Sequence, residues 1–253
     1  MDALTESVLK RFAQLLPPEN PEPDWSAPAF RWVRRTYMGT VVGRLEAVPH
    51  FAHVDVETLI HINEQKAQLL TNTEQFVRGL PANNVLLTGA RGTGKSSLIR
   101  GCCTRFYEDG LRLIEVGKDD LCDLADIVRL TSTRPERFIV FCDDLSFELG
   151  EGGYKALKAA LDGSVAAGGE NLLIYATSNR RHLMPEPASD NDQAALDDAG
   201  ELHPGEVLEE KLSHAERFGL WLSFYPFSQA KYLDVVRQSL AALGVTVQVA
   251  ESE

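Results

Sequence analysis

The sequence predicts an α/β protein in which helices cover both faces of a parallel β-sheet. Three observations predict this class. Short apolar segments alternate with longer segments of helical periodicity, an order typical of strands joined by crossover helices. The first apolar segment runs directly into the glycine-rich sequence GARGTGKSS, residues 89–97. The third apolar segment, RFIVFCDD, ends in Asp143 and Asp144.

The composition limits the classes of protein that fit. The chain has 253 residues, 44% of them hydrophobic, which is enough for one sizeable core. A formal net charge of −12 argues against broad, non-specific binding to nucleic acid or to an anionic membrane. Because no apolar run approaches the roughly 18 residues of a membrane span, we expect no membrane partner. The four cysteines form no CxxC pair, which favours a reduced, cytoplasmic protein.

The first 54 residues are expected to precede the regular part of the fold. Apolar residues at helical spacing predict an amphipathic helix over residues 1–16. The following segment, residues 17–54, begins with five prolines before position 29, which predict an extended linker. It continues with the basic and aromatic sequence FRWVRR. We expect this sequence to be solvated and locally docked, with a contact to nucleic acid or a partner as the alternative.

The alternation of strands and helices fills residues 55–227, the predicted core of the fold. Strands are predicted in NNVLLTG, LRLIEV, RFIVFCDD, NLLIYATSN and FGLWLSFYPF, with helices in 54–80, 94–107, 119–131, 153–167 and 206–215. Residues 184–210 contain nine acids and no Lys or Arg, so a mobile acidic insert is predicted at about 186–205. The last segment, 228–253, has one predicted helix from Ala230 to Leu243 and a polar tail.

The glycine-rich segment fits the pattern G-x-x-x-x-G-K-[ST], between a predicted strand and a predicted helix. Glycine lets backbone N–H groups turn towards phosphate oxygens, and the N-terminal end of the helix favours the same anion. Lys95 would reach the β- and γ-phosphates, and Ser96 would offer its hydroxyl to Mg²⁺. The predicted nucleotide-binding residues are Gly89, Ala90, Arg91, Gly92, Thr93, Gly94, Lys95, Ser96 and Ser97.

Polar residues at the ends of two other strands are candidates for the same site, because ligands bind at the carboxyl ends of parallel strands. Asp143 is predicted to be the Walker-B acid that holds Mg²⁺, rather than a helix or turn cap. The fourth strand ends in Thr177, Ser178 and Asn179. A polar side chain there can hydrogen-bond the attacking water or the γ-phosphate, and a simple strand-end turn is the alternative.

The order of the P-loop, FIVFCDD, YATSN and ERFGLWLSFYPF resembles that of an AAA+ ATPase. Longer blocks, including GLPANNVLLTGARGTGKSSLIRG and LLIYATSNRRHLMPE, resemble the AAA+ family catalogued as domain of unknown function 815. The resemblance covers roughly residues 25–243. It implies a five-stranded parallel sheet in the order 5-1-4-3-2 with a shortened helical lid. It also implies ATP and Mg²⁺ as cofactors, ATP hydrolysis, and a homo-oligomeric ring, with a hexamer as one candidate size.

The resemblance also implies catalytic roles. Asn179 matches the sensor-1 position. Arg217 matches the arginine finger that AAA+ proteins project into a neighbouring subunit's site, with an ion pair to a nearby glutamate as the alternative. Asp144 stands where most AAA+ proteins have a water-orienting glutamate. We predict that Asp144 takes this role, with Glu148 as its rival, and that the shorter carboxylate gives a slow enzyme.

The sequence departs from the family pattern at three places, one of which is residues 188–203, a poor match to the family. The segment LIHIN, residues 59–63, corresponds to one that borders adenine in AAA+ proteins, so Ile60 and Ile62 are expected to contact the base. His61 stands there in a position where glycine is common. Only one lid helix is predicted after the fifth strand, and its arginine, Arg237, is not assigned as sensor 2.

These features favour an ATPase that couples slow turnover to conformational change in an oligomer, acting on an unknown protein or nucleic-acid partner. The alternative is a nucleotide-gated adaptor or loader that binds ATP with negligible turnover. The acidic insert and the missing lid arginines disfavour a small-molecule kinase. A protein-threading unfoldase is disfavoured because residues 117–137 contain no aromatic side chain. The sequence identifies neither the partner nor the ring size.

Overall fold

A seven-stranded sheet forms the centre of the computed structural model. The strands are β1 (Ala29–Tyr37), β2 (Thr40–Ala47), β3 (Val85–Gly89), β4 (Leu111–Glu115), β5 (Arg137–Cys142), β6 (Leu172–Ser178) and β9 (Leu220–Phe224); β7 (Ala195–Leu196) and β8 (Leu202–His203) form a separate antiparallel pair. The structure describes residues 5–8, 11–12, 22–37, 39–48, 50–145, 157–159, 161, 170–179, 195–196, 202–203, 218–242 and 244.

Helices connect most of these strands. The α-helices are α1 (Asn63–Val77), α2 (Lys95–Phe106), α3 (Leu124–Thr131) and α4 (Gln229–Ala242), with 3-10 helices at Val56–Thr58 and Lys118–Asp123. The predicted helix at 119–131 therefore begins as a 3-10 turn. Residues 5–8 and 11–12 are helical, as are 157–159 and 161. Most of the predicted helix at 153–167, the helix at 206–215 and most of the acidic insert lie outside the described residues.

The strand order is β2-β1-β4-β5-β6-β3-β9, and every pair except β1–β2 is parallel. The prediction of a five-stranded sheet is therefore wrong, because β1 and β2 extend the sheet beyond β4. The order of the whole sheet differs from 5-1-4-3-2 for the same reason. Within it, the five predicted strands lie side by side as β9-β3-β6-β5-β4.

The added hairpin corrects the expectation of a solvated segment at FRWVRR, whereas the proline linker predicted before it lies partly outside the described residues. Phe30 and Trp32 of β1 are buried, and Trp32 donates a hydrogen bond to Asp123 (Nε1 to Oδ2, 2.9 Å). Gly43 of β2 lies under the Trp32 ring, since a Cβ there would come within 2.0 Å of a ring carbon. These contacts dock the hairpin on the 3-10 helix before α3.

The arginines of β1 have acidic neighbours. Arg31 pairs with Glu115 (3.2 Å), Arg35 with Glu46 (3.1 Å), and Arg34 lies 3.2 Å from Asp123 and 3.6 Å from Asp120. Exposed pairs of this kind add little stability. Their charges are nevertheless locally balanced, so the structure favours the docked interpretation of FRWVRR over a contact with nucleic acid.

The core has two layers, one on each face of the sheet. On β5, Phe138 and Val140 pack towards α3 and the hairpin, whereas Ile139 and Phe141 pack towards α1 and α2. Burial on both faces explains why the central strands are nearly continuous apolar runs. None of the helices in the described part of the chain has the length and apolar character needed to span a bilayer.

Candidate functional site: the phosphate-binding loop and the strand ends

The loop between β3 and α2 requires glycine at two points. Gly89 has φ 131°, and a Cβ there would lie 1.8 Å from the backbone oxygen of Phe224 in the adjacent strand β9. Gly94 has φ 91°, in the left-handed region, and caps the N-terminus of α2. Side chains at these positions would be strained or would clash. The loop therefore brings its backbone amides and the start of α2 to the carboxyl end of the sheet.

The Lys95 side chain is held inside this loop. It is 6% exposed, and its Nζ donates to the backbone oxygens of Gly89 (2.8 Å) and Ala90 (2.7 Å). A third hydrogen bond runs from Nζ to Asn179 Oδ1, 3.1 Å away. Desolvation lowers the pKa of Lys95 from its ordinary value, and the negative charges of Asp143 and Asp144 partly offset that shift. The carboxylates thus help to keep a buried ammonium charged beside the loop.

The side chains of Asp143 and Ser96 are in contact, as the sequence predicts for two groups that hold one metal ion. Ser96 Oγ donates to Asp143 Oδ1 over 2.7 Å, and Thr177 Oγ1 donates to the same oxygen over 2.5 Å. Among the described residues, no group of three or more His, Cys, Asp and Glu side chains could hold a metal. Mg²⁺ often takes only one or two carboxylates together with substrate phosphates, so one hydroxyl and one carboxylate oxygen fit it.

Asp144 lines the same cleft as Asp143 and the loop. Its backbone has φ 53°, a left-handed conformation that Asp tolerates better than most residues. Its Oδ1 accepts a hydrogen bond from Asn179 Nδ2 (2.6 Å), and its Oδ2 lies 3.5 Å from Arg91 Nη2. Asn179 therefore contacts both Lys95 and Asp144. Strained backbone of this kind is concentrated at functional sites.

A cavity of about 430 Å³ lies beside the loop, within the range of small-ligand sites. The predicted base contacts, Ile60 and Ile62, both line it. Helix α4 forms the opposite wall. The residues lining the cavity are Thr58, Leu59, Ile60, Ile62, Gly92, Thr93, Gly94, Phe227, Val235, Gln238, Ser239 and Ala242.

The backbone of His61 explains why glycine is common at this position. Its φ of 63° is left-handed, the region that favours glycine. Its Nε2 lies 3.3 Å from Asp234 Oδ2 on α4, and its ring is 6.2 Å from that of Phe227. His61 thus adopts a glycine-like conformation and joins the cavity wall to α4. Arg237 pairs with Asp234 on its own helix (3.2 Å).

Two residues that the sequence singled out, Arg217 and Glu148, lie outside the described residues. Thr177 was grouped with its neighbours but was not assigned to the site, yet its hydroxyl contacts both aspartates. The signal that could have identified it is its place in β6, next to the end of β5. Gln238 and Ser239 of α4 were also missed, because nothing local in the sequence shows which face of α4 lines the cavity.

The chain was compared with known proteins and structures. A family model described as "Protein of unknown function (DUF815)" matches residues 26–253. No curated protein matches the sequence. A point variant of RuvB from Thermotoga maritima is 16% identical with a TM-score of 0.52, and the match covers 77% of this chain and 55% of that one.

Two other solved structures are similar. AMPPCP-bound DnaA from Aquifex aeolicus is 14% identical with a TM-score of 0.50, covering 79% of this chain and 58% of that one. The Aeropyrum pernix ORC1 protein in complex with DNA is also 14% identical with a TM-score of 0.50, covering 74% and 53%. The chain spans little more than half the length of these structures. At these identities the likeness shows the fold alone: an α/β fold with a mainly parallel sheet that resembles AAA+ P-loop ATPases.

Proposed function

The chain belongs to the DUF815 family, and on that premise we propose that it is an ATP-binding AAA+ ATPase. The observation behind this proposal is that two hydrogen bonds form at one end of the sheet. Lys95 donates to Asn179, and Ser96 donates to Asp143. These residues come from two separate strand ends and one helix start. A lysine inside a glycine loop, a hydroxyl on a carboxylate and a polar strand-end amide form the set that phosphoryl transfer requires.

Each residue has a role in this proposal. The loop amides and Lys95 bind the β- and γ-phosphates. Ser96 and Asp143 hold Mg²⁺, which when bound neutralises charge developing on the phosphate oxygens. Asn179 orients the γ-phosphate or the attacking water. Adenine occupies the cavity between Ile60, Ile62 and α4, where its faces are shielded from water.

Slow hydrolysis follows from the water-orienting acid. Asp144 is one methylene shorter than glutamate, and small displacements of a reacting water cost rate. Its carboxylate is also shared with Asn179 and Arg91. The rival acid, Glu148, remains an alternative for this role.

Arg217 is proposed to act in a neighbouring subunit's site, in a homo-oligomeric ring. The partner on which the oligomer acts can be protein or nucleic acid. One structural neighbour is described in complex with DNA, but the paired arginines of β1 do not favour such a contact at the hairpin. The four cysteines are free thiols; a cytoplasmic location stays a prediction.

One observation favours a second candidate, a nucleotide-gated adaptor or loader with negligible turnover. Asp144 replaces the glutamate that most AAA+ proteins use, so binding without hydrolysis would follow if its reach is too short. Turnover measured together with mass in solution separates the two functions. A turnover that rises as ATP drives assembly supports the ATPase. Tight ATP binding and assembly with negligible turnover support the adaptor.

A further inference from the structure

We propose that Thr177 is a positioning residue that sets the geometry of Asp143 and Asp144 through a single buried hydroxyl. The inference rests on the proposed function, because it concerns the same ATP site. Thr177 is 2% exposed and lies near the end of β6. The register pairs Ala176 of β6 with Cys142, the last residue of β5. Thr177 is therefore the next residue along, beside Asp143.

The Thr177 hydroxyl acts both as a hydrogen-bond donor and as an acceptor. Its one proton is donated to Asp143 Oδ1 at 2.5 Å, and its oxygen accepts the backbone N–H of Asp144 at 2.9 Å. A hydroxyl that donates to a carboxylate makes one of the stronger hydrogen bonds in proteins. The same side chain thus fixes the proposed metal-binding acid and the backbone of the proposed water-orienting acid.

The bond to Asp143 determines how that carboxylate is rotated. Ser96 Oγ, in helix α2, donates to the same oxygen, Oδ1. Two donors on one oxygen restrict the torsion of the carboxylate. A carboxylate that holds Mg²⁺ needs such fixed orientation, because Mg²⁺ demands near-ideal octahedral geometry.

The bond to Asp144 helps to hold an unfavourable backbone conformation. Asp144 has φ 53°, and a left-handed residue other than glycine is strained. Thr177 holds this turn twice, since its backbone oxygen also accepts the N–H of the fully buried Leu145 at 2.6 Å. Because the backbone sets the direction of Cβ, the turn aims the Asp144 carboxylate at Asn179.

The test replaces Thr177 with valine, which keeps the branched shape and removes the hydroxyl. The affinity for a fluorescent ATP analogue is measured in EDTA and across a Mg²⁺ titration, and turnover is measured at saturating ATP. We expect wild-type affinity in EDTA, a Mg²⁺ requirement raised about 10–100-fold, and kcat lowered at least about tenfold. Thr177→Ser should restore both quantities to near the wild-type values.

The matched control is Thr131→Val. Thr131 is also fully buried, but its hydroxyl returns to Ile127 of its own helix, α3. It should change neither the Mg²⁺ requirement nor kcat. If Thr177→Val does not fold, Thr177→Cys replaces the hydroxyl by a weaker thiol donor and is expected to raise the Mg²⁺ requirement in the same direction.

Two results would overturn the inference alone. One is a folded Thr177→Val protein with wild-type Mg²⁺ dependence and kcat. The other is an equal loss of affinity in EDTA and in Mg²⁺, which indicates general damage to the fold. A wild-type protein that binds no ATP analogue under either condition would instead contradict the proposed function, and this inference with it.

Discussion

Ser96 and Asp143 are 47 residues apart in the sequence, and the hydroxyl of one donates a 2.7 Å hydrogen bond to the carboxylate of the other. Ser96 lies in the first turn of the helix after β3, and Asp143 follows β5. The strand β6 lies between β3 and β5 in the sheet. The parallel arrangement therefore brings the two groups together at the carboxyl end of the sheet, where the proposed function has them hold one metal ion beside the nucleotide.

The first prediction concerns this pair. Asp143→Asn should lower turnover at least about 100-fold, because the charge stabilisation supplied by a metal ion is worth several kcal/mol. Turnover is measured across a Mg²⁺ titration. The matched control is Asp126→Asn, an exposed acid on α3 that pairs with Arg129. Equal turnover in the Asp143 variant and the control would remove Asp143 from the metal site.

The second prediction separates the two candidate acids. Asp144→Asn should keep ATP affinity and lose turnover, and asparagine tolerates the left-handed backbone of this position. Glu148→Gln should keep most of both. Single-turnover hydrolysis and equilibrium ATP binding measure the two quantities. If Asp144→Asn remains active and Glu148→Gln is inactive, the water-orienting role belongs to Glu148.

The third prediction concerns Arg217 between subunits. Arg217→Ala and Lys95→Ala proteins should each be inactive alone. Mixed together, they should recover some turnover at sites that pair an intact loop with an intact arginine. An arginine acting in trans is worth about 10³–10⁵ in rate in GTPase systems, and we expect less in a slow enzyme. Proven co-assembly of the two variants without any recovery would argue against a role in trans.

The fourth prediction tests the core through its thiols. Burial raises the pKa of Cys102, Cys103 and Cys142 to about 12. These thiols should stay protonated and shielded at pH 8, whereas Cys122 is exposed and should react with a disulfide reagent, although desolvation and Asp123 raise its pKa as well. We expect one rapidly reacting thiol in the native protein and all four in denaturant. Rapid labelling that persists in Cys122→Ser would contradict the described burial.

The fifth prediction tests the N-terminal hairpin. Gly43→Ala forces a methyl group into the Trp32 ring and should lower the free energy of unfolding by about 1–3 kcal/mol. Urea denaturation measures the change. Val41→Ala, at an exposed position of the same strand, is the control and should change it by less than about 0.5 kcal/mol. A stable Gly43→Ala protein would mean that β2 does not pack on Trp32.

The elements that sequence patterns predicted are those whose side chains are buried on both faces of the sheet. Such strands read as continuous apolar runs, as in β5 and β6. The hairpin was missed because the exposed positions of β1 carry arginines and prolines precede it, so local composition suggested a solvated segment. Strand β1 pairs with β4 and places Phe30 beside Ile114, a long-range contact that no local pattern encodes.

The sequence predicted the loop from Gly89 to Ser97 because one motif contains it, and it predicted Asp143 and Asn179 because they are polar residues at the ends of apolar strands. Thr177 depends instead on the register between two strands, which places it beside Asp143 only in the folded sheet. Ile60 and Ile62 were expected through family resemblance, and the structure places both at the cavity. Which residues of α4 line the cavity depends on how that helix packs, and the sequence does not show this.

The proposed function depends above all on Lys95, which anchors the phosphates of ATP. The most direct measurement is the equilibrium affinity of the folded protein for a fluorescent ATP analogue, compared between wild type and Lys95→Ala. Arg129→Ala, which removes an exposed positive charge from α3, is the control. We predict that Lys95→Ala abolishes binding without unfolding the protein, while wild type and the control bind equally. Unchanged affinity in a folded Lys95→Ala protein would show that the loop does not bind ATP through Lys95.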